Sequence, residues 1–134
     1  MTVARAAIAY WAVVFALGFV LGTLRTLWLA PAIGLLPATL AELPVMLAAS
    51  WWSSGWLVRR WQIASTTAAL TMGGLAFVLL MAAELGLAMV LMELSSAQWL
   101  AGLRQPHALI GLAGQLVFAA LPWWRVQQIN RTRG

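Results

Sequence analysis

Four long apolar stretches, broken by arginine, proline and small polar residues, take up most of this 134-residue chain. They run over about 6–29, 39–58, 68–92 and 106–124, each near the ~20 residues that a ~30 Å hydrocarbon core requires. Inside lipid no water satisfies backbone N–H and C=O groups, so segments of this kind span as helices. The rest of the composition agrees: 63% of residues are hydrophobic, 8% are charged and the mean hydropathy is +0.90. A soluble domain carries ~25% charged residues, and this chain could not cover its surface in water. The predicted fold is all-α: one domain, a bundle of four transmembrane helices.

The few charges are unevenly placed. All eight cationic side chains are Arg, and the three acids are Glu42, Glu84 and Glu93. With four spans, the N-terminus, the second loop and the C-terminus share a side, which holds Arg5, Arg59, Arg60, Arg125, Arg131 and Arg133. Only Arg25 and Arg104 fall on the other side, together with all three acids. Cationic residues near span ends concentrate in the cytoplasm, so both termini are predicted to be cytoplasmic. Trp11, Trp56, Trp61, Trp123 and Trp124 then mark the inner interface, and Trp28 and Trp99 the outer one. Trp51 and Trp52 fall nearer mid-span. Arg5 and the following apolar run also suit a signal peptide, but the run exceeds the usual ~7–15 residues, and an uncleaved first helix is expected.

Local signals set the boundaries. The first span is predicted to stop before Pro31, because the residue preceding proline avoids helical geometry. Thr39 and Glu42 form a T-x-x-E pattern, predicted to cap the second span reciprocally. Pro44 just inside removes one helical hydrogen bond and predicts a bend. Ser65–Thr67 offers a cap for the third span, and Pro106 suits the first helical position of the fourth. Residues 95–105 read as a short interfacial turn or helix.

Polar groups from all four spans meet at one depth. From the rise of 1.5 Å per residue, Glu84 lies roughly 6 Å outward of mid-span, Glu42 and Arg25 roughly 10 Å, and His107 roughly 12 Å. A charge at such depth costs ~2.5–3.5 kcal/mol on insertion scales and is usually turned inward. Helical phase places Arg25 on the face of Gly18 and Gly22, and Glu84 in phase with Gly73. It places His107 with Gly111, Gly114 and Gln115, and Glu42 with Met46, Ala49 and Ser53. Small residues mark close helix contact in membranes, so Gly18, Gly22, Gly111 and Gly114 are predicted packing positions, with the contact at Gly18 and Gly22 either within the bundle or between copies. Arg25, Glu42, Glu84, His107 and Gln115 form the candidate polar cluster, with Arg25 and Glu84 expected as direct partners and Glu42 as the competitor. Each has a simpler reading too: Glu42 as a cap, Arg25 as a snorkelling anchor, His107 at the aqueous interface, and Gln115 as an interhelical bond.

The sequence segments Leu21-Gly22-Thr23-Leu24-Arg25 and Ala41–Trp51 (AELPVMLAASW) resemble parts of small four-helix inner-membrane proteins of bacteria. The resemblance implies the fold and a bacterial inner-membrane location. It brings no activity and no site residue with it.

Several chemistries are excluded or weakly supported. Without cysteine there is no disulfide, thiolate metal site or cysteine nucleophile. One His and three dispersed Glu lack metal-ligand spacing, so no metal or other cofactor is expected. Arg residues dispersed at helix ends do not form a nucleic-acid stripe. The expected partners are the lipid bilayer and either further copies of the chain or another membrane subunit. The leading functional expectation is a non-enzymatic subunit or scaffold whose polar cluster fixes helix packing. An alternative is a small proton- or cation-coupled transporter or channel using Glu84, although the six-to-two Arg bias implies one fixed orientation rather than dual topology. A further alternative is a pigment- or haem-binding subunit with His107 as ligand. An acid–base enzyme built on Glu42, Glu84 and His107 lacks any accompanying nucleophile motif.

Overall fold

The computed structural model describes residues 2–91 and 93–133, with the side chains of His107, Thr132 and Arg133 outside that description. The order is α1 (Thr2–Leu24), a π-helical turn (Arg25–Leu29), α2 (Ala30–Ile33), α3 (Leu35–Arg60), α4 (Thr66–Leu91), α5 (Ser96–Gly102) and α6 (Pro106–Arg133). Four spans are long and apolar enough to cross a membrane. The protein is an all-α, multi-pass membrane bundle.

α1 packs against α3 and α4, and α6 packs against the same two helices. The cyclic order is therefore α1–α3–α6–α4, two helical hairpins laid side by side. Each hairpin contributes its small residues to the interior. On α3 the buried face is Ser50, Ser53, Ser54 and Gly55, and the serine hydroxyls turn back onto their own helix, Ser50 and Ser53 donating to Met46 and Ala49 carbonyls at 2.7 Å. Bonding within their own helix keeps these hydroxyls compact and lets α3 approach closely. On α4, a Cβ at Gly73 would overlap the Ala119 carbonyl of α6, so those two backbones touch. The apolar core runs through Ala6, Tyr10, Val14, Leu57, Val58, Met72, Ala76, Leu80, Phe118 and Val126. Large apolar side chains such as Trp52, Val78, Val90 and Leu91 point outward, as a lipid-facing surface requires.

Several boundaries differ from the sequence expectation, each for a local reason. The first span does not stop before Pro31; it continues to Ile33, giving 32 residues. Pro31 has no N–H for the Leu27 carbonyl. The preceding turn widens into π geometry, with the Ala30 N–H reaching the Arg25 carbonyl, and the helix passes the ring. Gly34, at φ 94°, then ends the run. α3 starts at Leu35, not Thr39, because Pro37 falls in the first turn, where the missing N–H has no helical acceptor anyway. The Thr39 hydroxyl therefore donates to the Leu35 carbonyl at 2.8 Å instead of capping with Glu42, and the predicted capping box is corrected. α3 runs through Pro44 and closes past Arg60 with a Schellman pattern. Ile63 N–H donates to Val58 O at 2.8 Å and Gln62 N–H to Arg59 O at 3.3 Å, with Gln62 at φ 54° and Ile63 buried in the core.

Ser65 caps α4 through the Ala68 N–H at 3.0 Å. The third span's predicted end, Met92, lies outside the described residues, and α4 is described to Leu91. α5 carries a capping box absent from the sequence reading: Gln98 N–H to Ser95 Oγ at 3.1 Å, and Ser95 N–H to Gln98 Oε1 at 2.8 Å. α6 extends well beyond residue 124. Its polar tail docks on the α3–α4 loop and the start of α4, with Asn130 Nδ2 donating to the Ala64 carbonyl and Gln127 Nε2 to Thr66 Oγ1, both at 3.0 Å. Falling hydropathy concealed that continuation.

Candidate functional site

A cleft of about 740 Å³ opens in the half of the bundle that holds the glutamates, walled by α1, α3, α4 and α6 and reaching residues of α5 at its mouth. Its depth ends at Val14, Ser50, Leu80 and Phe118. Beneath that level the bundle is closed by a diagonal contact. The Tyr10 and Phe118 rings stack at 4.2 Å with 18° between planes, and the Tyr10 hydroxyl donates to the Phe118 carbonyl at 2.7 Å. That carbonyl has a specific vacancy: its helical donor would be the N–H of residue 122, which is Pro122. Tyr10, from the opposite helix, supplies the hydrogen bond that proline withholds. Ser50 and Ser54 flank the same hydroxyl.

Four of the five candidate polar residues line the cleft: Arg25, Glu42, Glu84 and Gln115. The fifth, His107, has its side chain outside the described residues. The pairing differs from the expected one. Arg25 Nη1 bonds Glu42 Oε2 directly, joining the π turn to α3. Glu84 Oε1 accepts from Gln115 Nε2, joining α4 to α6. Arg25 acts on Glu84 through space only. The expected direct Arg25–Glu84 pair is thus corrected: Arg25 leaves its helix at the turn widened ahead of Pro31, on the side of α3. Each polar pair clamps one hairpin, and the two pairs face each other across the cleft.

The glycines divide into two kinds. A Cβ at Gly114 would overlap the tip of Leu43, and one at Gly18 would lie 3.3 Å from the Met46 methyl. A Cβ at Gly22 would meet the Arg25 guanidinium at an ordinary contact distance of 3.6 Å, and one at Gly111 would point into open space. Gly18, Gly22, Gly111 and Gly114 all line the cleft; close backbone contact lies instead at Gly73. Within the single chain the helices diverge around Gly22 and Gly111 rather than meeting there.

Charge is unbalanced within it. Among the described residues, Arg25 is the one cation in the lining, against two carboxyl groups, Glu42 and Glu84. Glu42 is matched by Arg25; Glu84 has a neutral amide. A carboxyl group at this depth needs either a proton or a cation to be tolerated. The remaining walls are apolar and aromatic, with Phe15, Phe19, Phe118 and Trp99 among them. No trio of His, Asp or Glu suited to a metal ion occurs among the described residues.

Compared with protein-family models, curated proteins and solved structures, the chain matches none.

Proposed function

We propose that this protein is a small cation carrier of the bacterial inner membrane, with cytoplasmic termini, in which Glu84 holds either a proton or a cationic ligand. The observation that supports this reading is the charge count in the cleft: two carboxyl groups, one arginine, and Glu84 held only by Gln115. The ligand class follows from the walls. A compact lipophilic cation would satisfy the carboxylate and rest against aromatic faces, an arrangement stabilised by ~0.5–2 kcal/mol per ring. Proton and ligand compete for one carboxylate, which is the minimal basis of exchange.

A second reading has its own support. The Arg25–Glu42 and Glu84–Gln115 bonds each tie one hairpin together, which suits a scaffold or subunit whose polar groups are architectural. Glu84→Gln separates the two. Glutamine keeps a hydrogen bond to Gln115 and removes the charge. The test is binding of tetraphenylphosphonium to the purified chain, and its flux into proteoliposomes under a proton gradient. The carrier reading expects E84Q to lose binding and flux at unchanged melting temperature. Absent binding by the native protein, or undiminished flux with E84Q, would overturn it in favour of the scaffold.

A further inference from the structure

The opposite end of the bundle carries a second concavity, of about 410 Å³, lined by Arg59, Arg125, Gln128, Ile129 and Arg131. Three arginines meet there, and no Asp or Glu side chain among the described residues is paired with them. Glu42 and Glu84 line the other cleft, and Glu93 follows α4 at that same far end. Arg125 is the centre of the group. It is 8% exposed, and its guanidinium lies against the bare backbone of Gly55, with Cζ 3.9 Å from the Trp51 ring. Nη1 donates to Gln128 Oε1 at 2.9 Å. Nε is buried and has no hydrogen-bond partner. Arg59 lies close enough to repel Arg125 electrostatically.

A buried guanidinium with an unsatisfied donor, beside the like charge of Arg59, is stabilised when an anion joins it. Gly55 makes the site: any side chain there would displace Arg125 from its seat on α3. Trp56, Trp123 and Trp124 are all at least 39% exposed around this end, marking a level where aromatic rings meet headgroups. We infer that Arg59, Arg125 and Arg131 form a phosphate site that takes the phosphodiester of an anionic lipid. Guanidinium forks suit phosphate oxygens, and basic pockets between helices at a membrane surface bind such headgroups. A bound phosphodiester would offer an acceptor to Arg125 and offset the repulsion from Arg59. The site is independent of Glu84 and of any transport activity.

The test uses the full chain in detergent, titrated with phosphatidylglycerol, with phosphatidylcholine of the same acyl chains, or with inorganic phosphate. Adducts are read by native mass spectrometry and stability by thermal melting. The native protein is expected to retain phosphatidylglycerol and melt higher with it than with phosphatidylcholine. Arg59 and Arg131 are exposed, so R59Q/R131Q keeps the fold and should weaken phosphatidylglycerol binding roughly thirtyfold. Equal retention of the two lipids, or unchanged phosphatidylglycerol binding by R59Q/R131Q, would overturn the site. Full stabilisation by millimolar inorganic phosphate, with phosphatidylglycerol displaced by it, would overturn the lipid source in favour of a soluble phosphate.

Discussion

Tyr10→Phe deletes a single hydroxyl in the centre of the bundle. The ring, its stack on Phe118 and its volume are kept; the hydroxyl alone is deleted. In the native protein that hydroxyl serves the Phe118 carbonyl, whose own helical donor is removed by Pro122. Interhelical hydrogen bonds in membranes average ~0.6 kcal/mol and reach ~1.7. Tyr10 is fully buried and its partner has no backbone substitute, so the upper part of that range applies. Leaving a buried acceptor unsatisfied costs ~1–3 kcal/mol. The expected loss is therefore about 1.5 kcal/mol, roughly a tenfold shift in the folding equilibrium.

Pro122→Ala turns this into a sharper test. Alanine restores an N–H at residue 122, and the Phe118 carbonyl regains its own helical donor. Y10F should then cost about 0.5 kcal/mol or less in the P122A background, a coupling of about 1 kcal/mol between residues on opposite helices. The assay is reversible unfolding in mixed micelles, following helical circular dichroism for the four members of the cycle. An equal cost of Y10F in both backgrounds would refute the account of Tyr10 as the replacement donor for proline.

Gly73→Ala should destabilise by ~1–3 kcal/mol, because the added methyl meets the Ala119 carbonyl, whereas Gly22→Ala should change melting little; equal effects would place the close contact elsewhere. Arg25→Gln and Glu42→Gln should each cost less than the ~3–5 kcal/mol of a fully buried pair, since Arg25 is 29% exposed. Their double mutant should recover much of the loss, and coupling of Arg25 to Glu84 measured by the same unfolding assay should be smaller than coupling to Glu42. Gln62→Cys should be shielded from a membrane-impermeant thiol reagent in intact cells and Ala97→Cys should be labelled; the reverse pattern would invert the orientation.

The helical class and the number of spans were legible without any contact information, because they depend on hydropathy and length alone. So was the shared depth of Arg25, Glu42 and Glu84, since position along a helix is a count of residues multiplied by a fixed rise. Cap residues with a local signature, such as Ser65, were legible for the same reason: donor and acceptor are three residues apart. Pairing was not. Which carboxyl group meets Arg25 depends on the order of helices around the bundle and on how far each is rotated about its axis. Those are settled by where backbones can approach, at Gly73 against Ala119 and at the Ser50–Gly55 face of α3. Pro31 illustrates the limit of local rules. It ends a helix only if the preceding turn cannot widen, and here the turn does widen at Arg25, which sets that side chain towards Glu42. Arg125 counted in the sequence as one more topology charge, yet in the fold it is buried over Gly55 and Trp51. The chain by itself determined four spans and a shared depth for the polar groups; only tertiary packing decided their partners, because azimuth and neighbour order are properties of all four helices at once.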